Sequence, residues 1–204
     1  MSYTFRYRPG LLFVLVVFVF GGCAIFPARE AFFYALEYEA PDDLPGPLSS
    51  SLGVIRVFEP GISTAYNRRQ IVVRDGTPRF QYLTDDMWAV DLVDSLQYFV
   101  ERYFIDAGTF EALVGEFSPV RADLELHAAI RRVEFYCCDD PEARVEVVFE
   151  LRRPGGQVVL REQFRRNESL PENDLVAFAR GVNDLFLEAV VLLDQRIRSE
   201  RANL

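Results

Sequence analysis

Apolar and polar positions divide the chain into an N-terminal apolar run and a series of amphipathic segments. Residues 11–20 (LLFVLVVFVF) are uninterrupted, with Arg6 and Arg8 before them and Gly21, Gly22 and Cys23 after. Beyond the tether that follows, residues 31–39 (AFFYALEYE) and 52–58 (LGVIRVF) are rich in aromatic and branched side chains and predict strands. Between them, residues 40–51 carry three prolines, one glycine and three serines, which predict a loop. Residues 70–74 (QIVVR) and 79–83 (RFQYL) flank Asp75-Gly76, a strong hairpin signal. A helix is expected next, capped by Thr84 or Asp85 and running to about Ile105. Ala89, Leu92, Val93, Leu96, Phe99, Val100 and Tyr103 recur at three- and four-residue spacing along it.

Gly108 breaks that periodicity, and residues 110–114 predict a short strand. Strict alternation then takes over. Leu124, Leu126, Ala128 and Ile130 form one face, but beyond Arg131-Arg132 the apolar positions become Val133 and Phe135. A shift of one residue would turn the strand over, so a β-bulge or bend is predicted there. Val145, Val147, Phe149 and Leu151 form the inner face of the next strand. Pro154-Gly155-Gly156 turns the chain into a last strand bearing Val158, Leu160 and Phe164. Ser169-Leu170-Pro171-Glu172 has capping-box spacing and predicts the start of a helix reaching about Arg198. The expected fold is α+β, a largely antiparallel sheet with both amphipathic helices packed on one face.

The N-terminal run reads as an export signal. A positive n-region, an apolar stretch and small exit residues are its parts. Ten apolar residues are about half of what a bilayer span requires. The sequence Phe20-Gly21-Gly22-Cys23 resembles a bacterial lipobox. That resemblance implies a lipid on Cys23 and cleavage before it, and the absence of Asp at Ala24 implies the outer membrane. The expected organisation is a signal peptide over 1–22, a lipidated tether over 23–30 and one periplasmic domain over 31–204.

Charge sharpens the picture. The net charge of −9 becomes −11 once Arg6 and Arg8 are removed, which argues against nucleic acid as a partner. Apart from Cys23, the cysteines are the adjacent Cys137 and Cys138. Free thiols, a strained vicinal disulfide and cross-links between chains all remain open for them. A metal site at Cys137-Cys138-Asp139-Asp140 lacks a nearby histidine or a second cysteine pair. His127 is the single histidine and is expected on the polar face of a strand beside Glu125. Ser49, Ser50 and Ser51 have no base near them in sequence. No phosphate loop or metal-ligand spacing occurs, so no catalytic residue, metal or cofactor is expected beyond the covalent lipid on Cys23.

Several stretches together resemble a known family. They are the lipobox, Tyr34-Ala35-Leu36, Leu52-Gly53-Val54-Ile55-Arg56-Val57, the run Tyr66-Asn67-Arg68-Arg69 entering Gln70-Ile71-Val72-Val73-Arg74, and Trp88-Ala89-Val90-Asp91-Leu92. In this order they are similar to the ABC-type transport auxiliary lipoproteins, the PqiC-like family. Against that family's usual run, Arg68 is kept, while Tyr66, Asn67 and Arg69 depart from leucine, aspartate and proline. The resemblance implies a non-enzymatic accessory of an MCE-domain lipid transport system with an inner-membrane permease and ATPase. The expected contact surface is Trp88 with Tyr66, Arg68 and Arg69. A lipid carrier with its own cavity and a general envelope-assembly lipoprotein are the alternatives, and association with further copies of the chain stays open.

Overall fold

The computed structural model describes residues 30–138 and 140–204. The signal peptide, Cys23 and the tether up to residue 29 lie outside the described residues, as does Asp139. Residues Ala31–Leu204 form one compact unit.

The spine is β7 (Leu124–Tyr136), and its two sides are built differently. On one side it pairs antiparallel with β8 (Glu142–Arg152), which in turn pairs antiparallel with β9 (Val158–Ser169). This is the expected three-stranded meander. On the other side three short segments follow β7 in parallel. They are β2 (Val54–Val57), β3 (Gly61–Ile62) and β4 (Gln70–Arg74). Beyond them lie β6 (Ala112–Gly115), parallel to β2, and β5 (Gln81–Trp88), antiparallel to β4. The edge strand β1 (Phe32–Tyr34) runs parallel to β5. The fold is α+β as expected, but the sheet is mixed rather than simply antiparallel. Alternation along a strand reports which face is buried and carries no information on the direction of its neighbour.

The bulge falls where the phase shift places it. Ile130 faces Val147 and Arg132 faces Glu146, leaving Arg131 as the extra residue. Before it the even positions Leu124, Leu126 and Ile130 enter the core, and after it Val133 and Phe135 do. The two helices, α1 (Leu92–Ala107) and α2 (Leu175–Glu200), close that face. Phe99 of α1 meets Phe186 of α2 edge-on at 6.0 Å, and Phe178 of α2 packs on Phe135 at 5.2 Å. Each ring buried in this way contributes on the order of 2–3 kcal/mol of hydrophobic free energy.

Both expected helix starts are displaced, for the same physical reason. Residues 84–88 belong to β5, because their backbone has partners on both sides. Met87 pairs with Gln70 of β4 and with Phe33 of β1. The N-cap of α1 is therefore Asp91, not Thr84 or Asp85, and its side chain makes no cap hydrogen bond. Ser169 likewise remains in β9 opposite Glu142, and Asp174 caps α2 by accepting from the Ala177 N–H at 2.8 Å. Residues 35–39 continue from β1 without ladder pairing, so the long strand expected over 31–39 shrinks to three residues. Among the described residues no helix is long and apolar enough to cross a membrane, which says nothing of a β-barrel.

At the far end of α2 a buried polar cluster ties the helices together. Asp194 is fully buried. It accepts from Thr109 Oγ1 at 2.6 Å, from Arg198 Nε at 2.6 Å and from the Tyr103 hydroxyl at 3.3 Å. Arg198 also donates to the carbonyls of Ala107 and Gly46. Burial, with the Asp194 carboxylate next to it, holds the Tyr103 hydroxyl protonated far above the ordinary tyrosine range.

Candidate interaction surface

The segment after β3 was expected to meet a partner, and its side chains turn out to be divided between the core and the outer face of the sheet. Trp88 is corrected first. It is the last residue of β5, 2% exposed, with its ring 5.7 Å from Phe178. It offers no surface to a partner. The sequence placed it at the start of a helix, beside the apolar stripe; strand pairing turns it inward. Tyr66 is corrected too: it is 6% exposed, and its hydroxyl donates to Glu134 Oε2 at 2.9 Å. Burial and that carboxylate raise the hydroxyl's pKa well above the usual tyrosine value.

Glu134, itself only 4% exposed, sits between Arg132 and Arg144, each 4.0 Å from its Oε1. Arginines on this outer face stack on aromatic rings. Arg68 lies 3.8 Å from the centre of Tyr82, Arg74 4.4 Å from Phe80 and Arg144 3.5 Å from Tyr136. A guanidinium over a ring gains about 0.5–2 kcal/mol from the ring quadrupole, depending on its desolvation. Stacking covers part of the hydrogen-bonding perimeter, and the Nε atoms of Arg68 and Arg74 are buried without a hydrogen-bond partner. Arg69 stands apart. Its Nε donates to the Trp88 carbonyl at 3.0 Å and a terminal nitrogen donates to Ala89 O at 2.7 Å, which pins the link between β5 and α1. Of the four expected contact residues, Tyr66 and Arg68 share the outer-face cluster, Arg69 holds a backbone corner, and Trp88 is core.

Alternation in sequence could not reveal this cluster, since Arg68, Arg74, Arg132 and Arg144 come from separate segments. A second feature also joins segments distant in sequence. Beside β1 and the first turns of α2 an open groove of about 590 Å³ is lined by Phe33, Ala35, Val176, Ala179, Arg180 and Asn183.

His127 stacks on Phe58 at 4.2 Å and lies 3.9 Å from Glu125. Burial first, and the Arg152 guanidinium second, push its pKa below the ordinary histidine value. Cys137 and Cys138 are free thiols with Sγ atoms 2.9 Å apart, and Cys138 holds a φ of +92°. Burial, and then Cys138, push the Cys137 thiol up to about 11, so little reactive thiolate forms there. Among the described residues no group of three or more His, Cys, Asp or Glu side chains is arranged to hold a metal ion. Changing both cysteines to serine is expected to leave the melting temperature within a few degrees of wild type. A bond between neighbours closes almost no loop, and serine tolerates the positive φ no better or worse than cysteine. A large drop in a thermal melt would mean that the thiols bridge to another group.

Comparison with known proteins places the fold in a family. The family model for the ABC-type transport auxiliary lipoprotein component matches residues 34–191. The chain belongs to this family. Among solved structures it is similar to protein XCC0632 of Xanthomonas campestris, a DUF330-family protein. That protein is 23% identical, with a TM-score of 0.67 over 83% of this chain and 99% of the other. An uncharacterized protein superposes with a TM-score of 0.65 at 11% identity, over 83% of this chain and 99% of that one. The PelC dodecamer of Paraburkholderia phytofirmans is more distant, with a TM-score of 0.44 at 16% identity over 73% of this chain and 92% of that one. No curated protein matches. Identities this low establish the shared fold alone. The family match spans nearly all of the fold, from Tyr34 in β1 to Val191 in α2, so the auxiliary-lipoprotein assignment applies to the domain as a whole.

Proposed function

We propose that this auxiliary lipoprotein is acylated on Cys23, is held at the outer membrane facing the periplasm, and works by contact rather than catalysis. Its partners in this reading are an MCE-domain protein and the permease and ATPase of the same lipid transport system. The family match over residues 34–191 carries the reading, because it ties the whole domain to ABC-type transport. Co-purification from solubilised membranes after cross-linking, with the partners identified by mass, tests the docking role. Recovery of an MCE-domain protein supports it. Purification without any such partner, but with one lipid bound per chain, replaces docking with a carrier role.

Acylation has its own test. Cys23→Ala is expected to abolish incorporation of a labelled fatty acid and to leave an uncleaved precursor, since the thiol is the acceptor. Equal labelling of the variant and the wild type would remove Cys23 as the site.

A further inference from the structure

We propose that the end of the domain where the chain enters, carrying Phe32, Phe33, Phe80, Tyr82 and Val176, seats directly on a lipid surface. This rests on the reading that Cys23 is acylated.

Strand directions bring these residues to one end. β1 and β5 are parallel, with Phe32 opposite Asp86, so the chain enters alongside the earlier part of β5, where Tyr82 lies. The β4–β5 turn, with Phe80 at its exit, is at that same end. The first turns of α2 line the groove with Phe33, which brings Val176 there as well. Phe32 and Phe33 are 53% and 56% exposed, and Val176, Phe80 and Tyr82 are also exposed. Five large apolar side chains therefore sit in water at one end. Single exposed apolar residues are ordinary; a group at one end marks a contact.

The length of the tether selects the occupant. Nine chain steps join Cys23 to Phe32. Fully extended, they reach at most about 32 Å. The lipid-bearing residue is never farther than that from Phe32, so this end of the domain is the one held nearest the bilayer. The side chains suit the headgroup region. Aromatic rings concentrate at membrane interfaces, and arginine stems lie along apolar surface while their charged heads stay wet. Arg79, with a side chain 74% exposed, and Arg68 stacked on Tyr82 accompany the rings. Acyl chains would hold the protein to the membrane, and this seat would fix its orientation, presenting the opposite end to the periplasm.

The test uses the full-length acylated protein in vesicles of phosphatidylethanolamine and phosphatidylglycerol, with and without brominated acyl chains. Tryptophan is introduced singly as Phe33→Trp, Phe80→Trp or Ile105→Trp. Ile105 is 56% exposed but lies near the C-terminus of α1, at the opposite end. Buried Trp88 gives a constant background. A side chain about 5–10 Å into the headgroup boundary should lose emission about twofold in brominated vesicles. That loss is expected for Phe33→Trp and Phe80→Trp, with Ile105→Trp unchanged. Equal quenching of all three, or none in any, overturns the seat. The mass of the N-terminal peptide from the same preparation separates the two readings. Acylated Cys23 without quenching overturns the seat alone and gives this end to a protein partner. An unmodified N-terminus overturns the anchor, and the seat with it.

Discussion

Asp194→Ala is expected to lower the stability of the domain by about 3–5 kcal/mol, the usual cost of removing one partner from a buried ion pair. Arg198 would keep its charge with only carbonyls and the Thr109 hydroxyl around it. The Tyr103 hydroxyl and Thr109 Oγ1 would each lose an acceptor. In a domain of this size that corresponds to a fall of roughly 6–20 °C in melting temperature. Urea unfolding followed by far-UV circular dichroism gives the number directly. A loss below about 1 kcal/mol would show that water or a neighbouring group replaces the carboxylate. The cluster stabilises the fold because the end of α2, the end of α1 and the loop at Gly46 all bond to the same two side chains.

Trp88→Ala is expected to be comparably damaging, by about 3–5 kcal/mol, as for other large aromatic truncations in cores. The ring fills the space between β5 and α2 and leans on Phe178, which also supports Phe135. Any loss of partner binding in this variant should therefore follow loss of folding. Binding measured alongside unfolding distinguishes the cases. A variant that melts like wild type yet fails to bind would return Trp88 to the interface. Phe80 and Tyr82 are the better choice for probing a surface role, since both are exposed and truncating either removes little beyond its stacking with Arg74 or Arg68.

The two helix starts show where local signals are overruled. Ser169-Leu170-Pro171-Glu172 has the spacing of a cap, and a cap is worth about 1 kcal/mol. Extending β9 to Ser169 satisfies backbone groups against β8 instead, and Leu170 N–H donates to the Pro141 carbonyl at 2.8 Å. Pairing with partners distant in sequence outweighs the local preference. The same competition turns Thr84 to Trp88 from the expected first turn of a helix into strand.

Periodicity by itself determined the meander, the bulge after Ile130, the hairpin about Asp75-Gly76 and the apolar faces of both helices. These depend on which side of an element is buried, and the order of apolar residues encodes that directly. The family, too, was legible, because its recurring segments lie along the chain in order. Tertiary structure alone decided that β2, β3 and β4 follow β7 in parallel, that Trp88 is core, and that Tyr66, Glu134 and the stacked arginines share one face. It also decided that Phe32, Phe33 and Phe80 come to one end beside Val176. Each of these is a meeting of segments tens of residues apart. Such meetings are set by the closing of the whole sheet around one core, and no local window of sequence contains them.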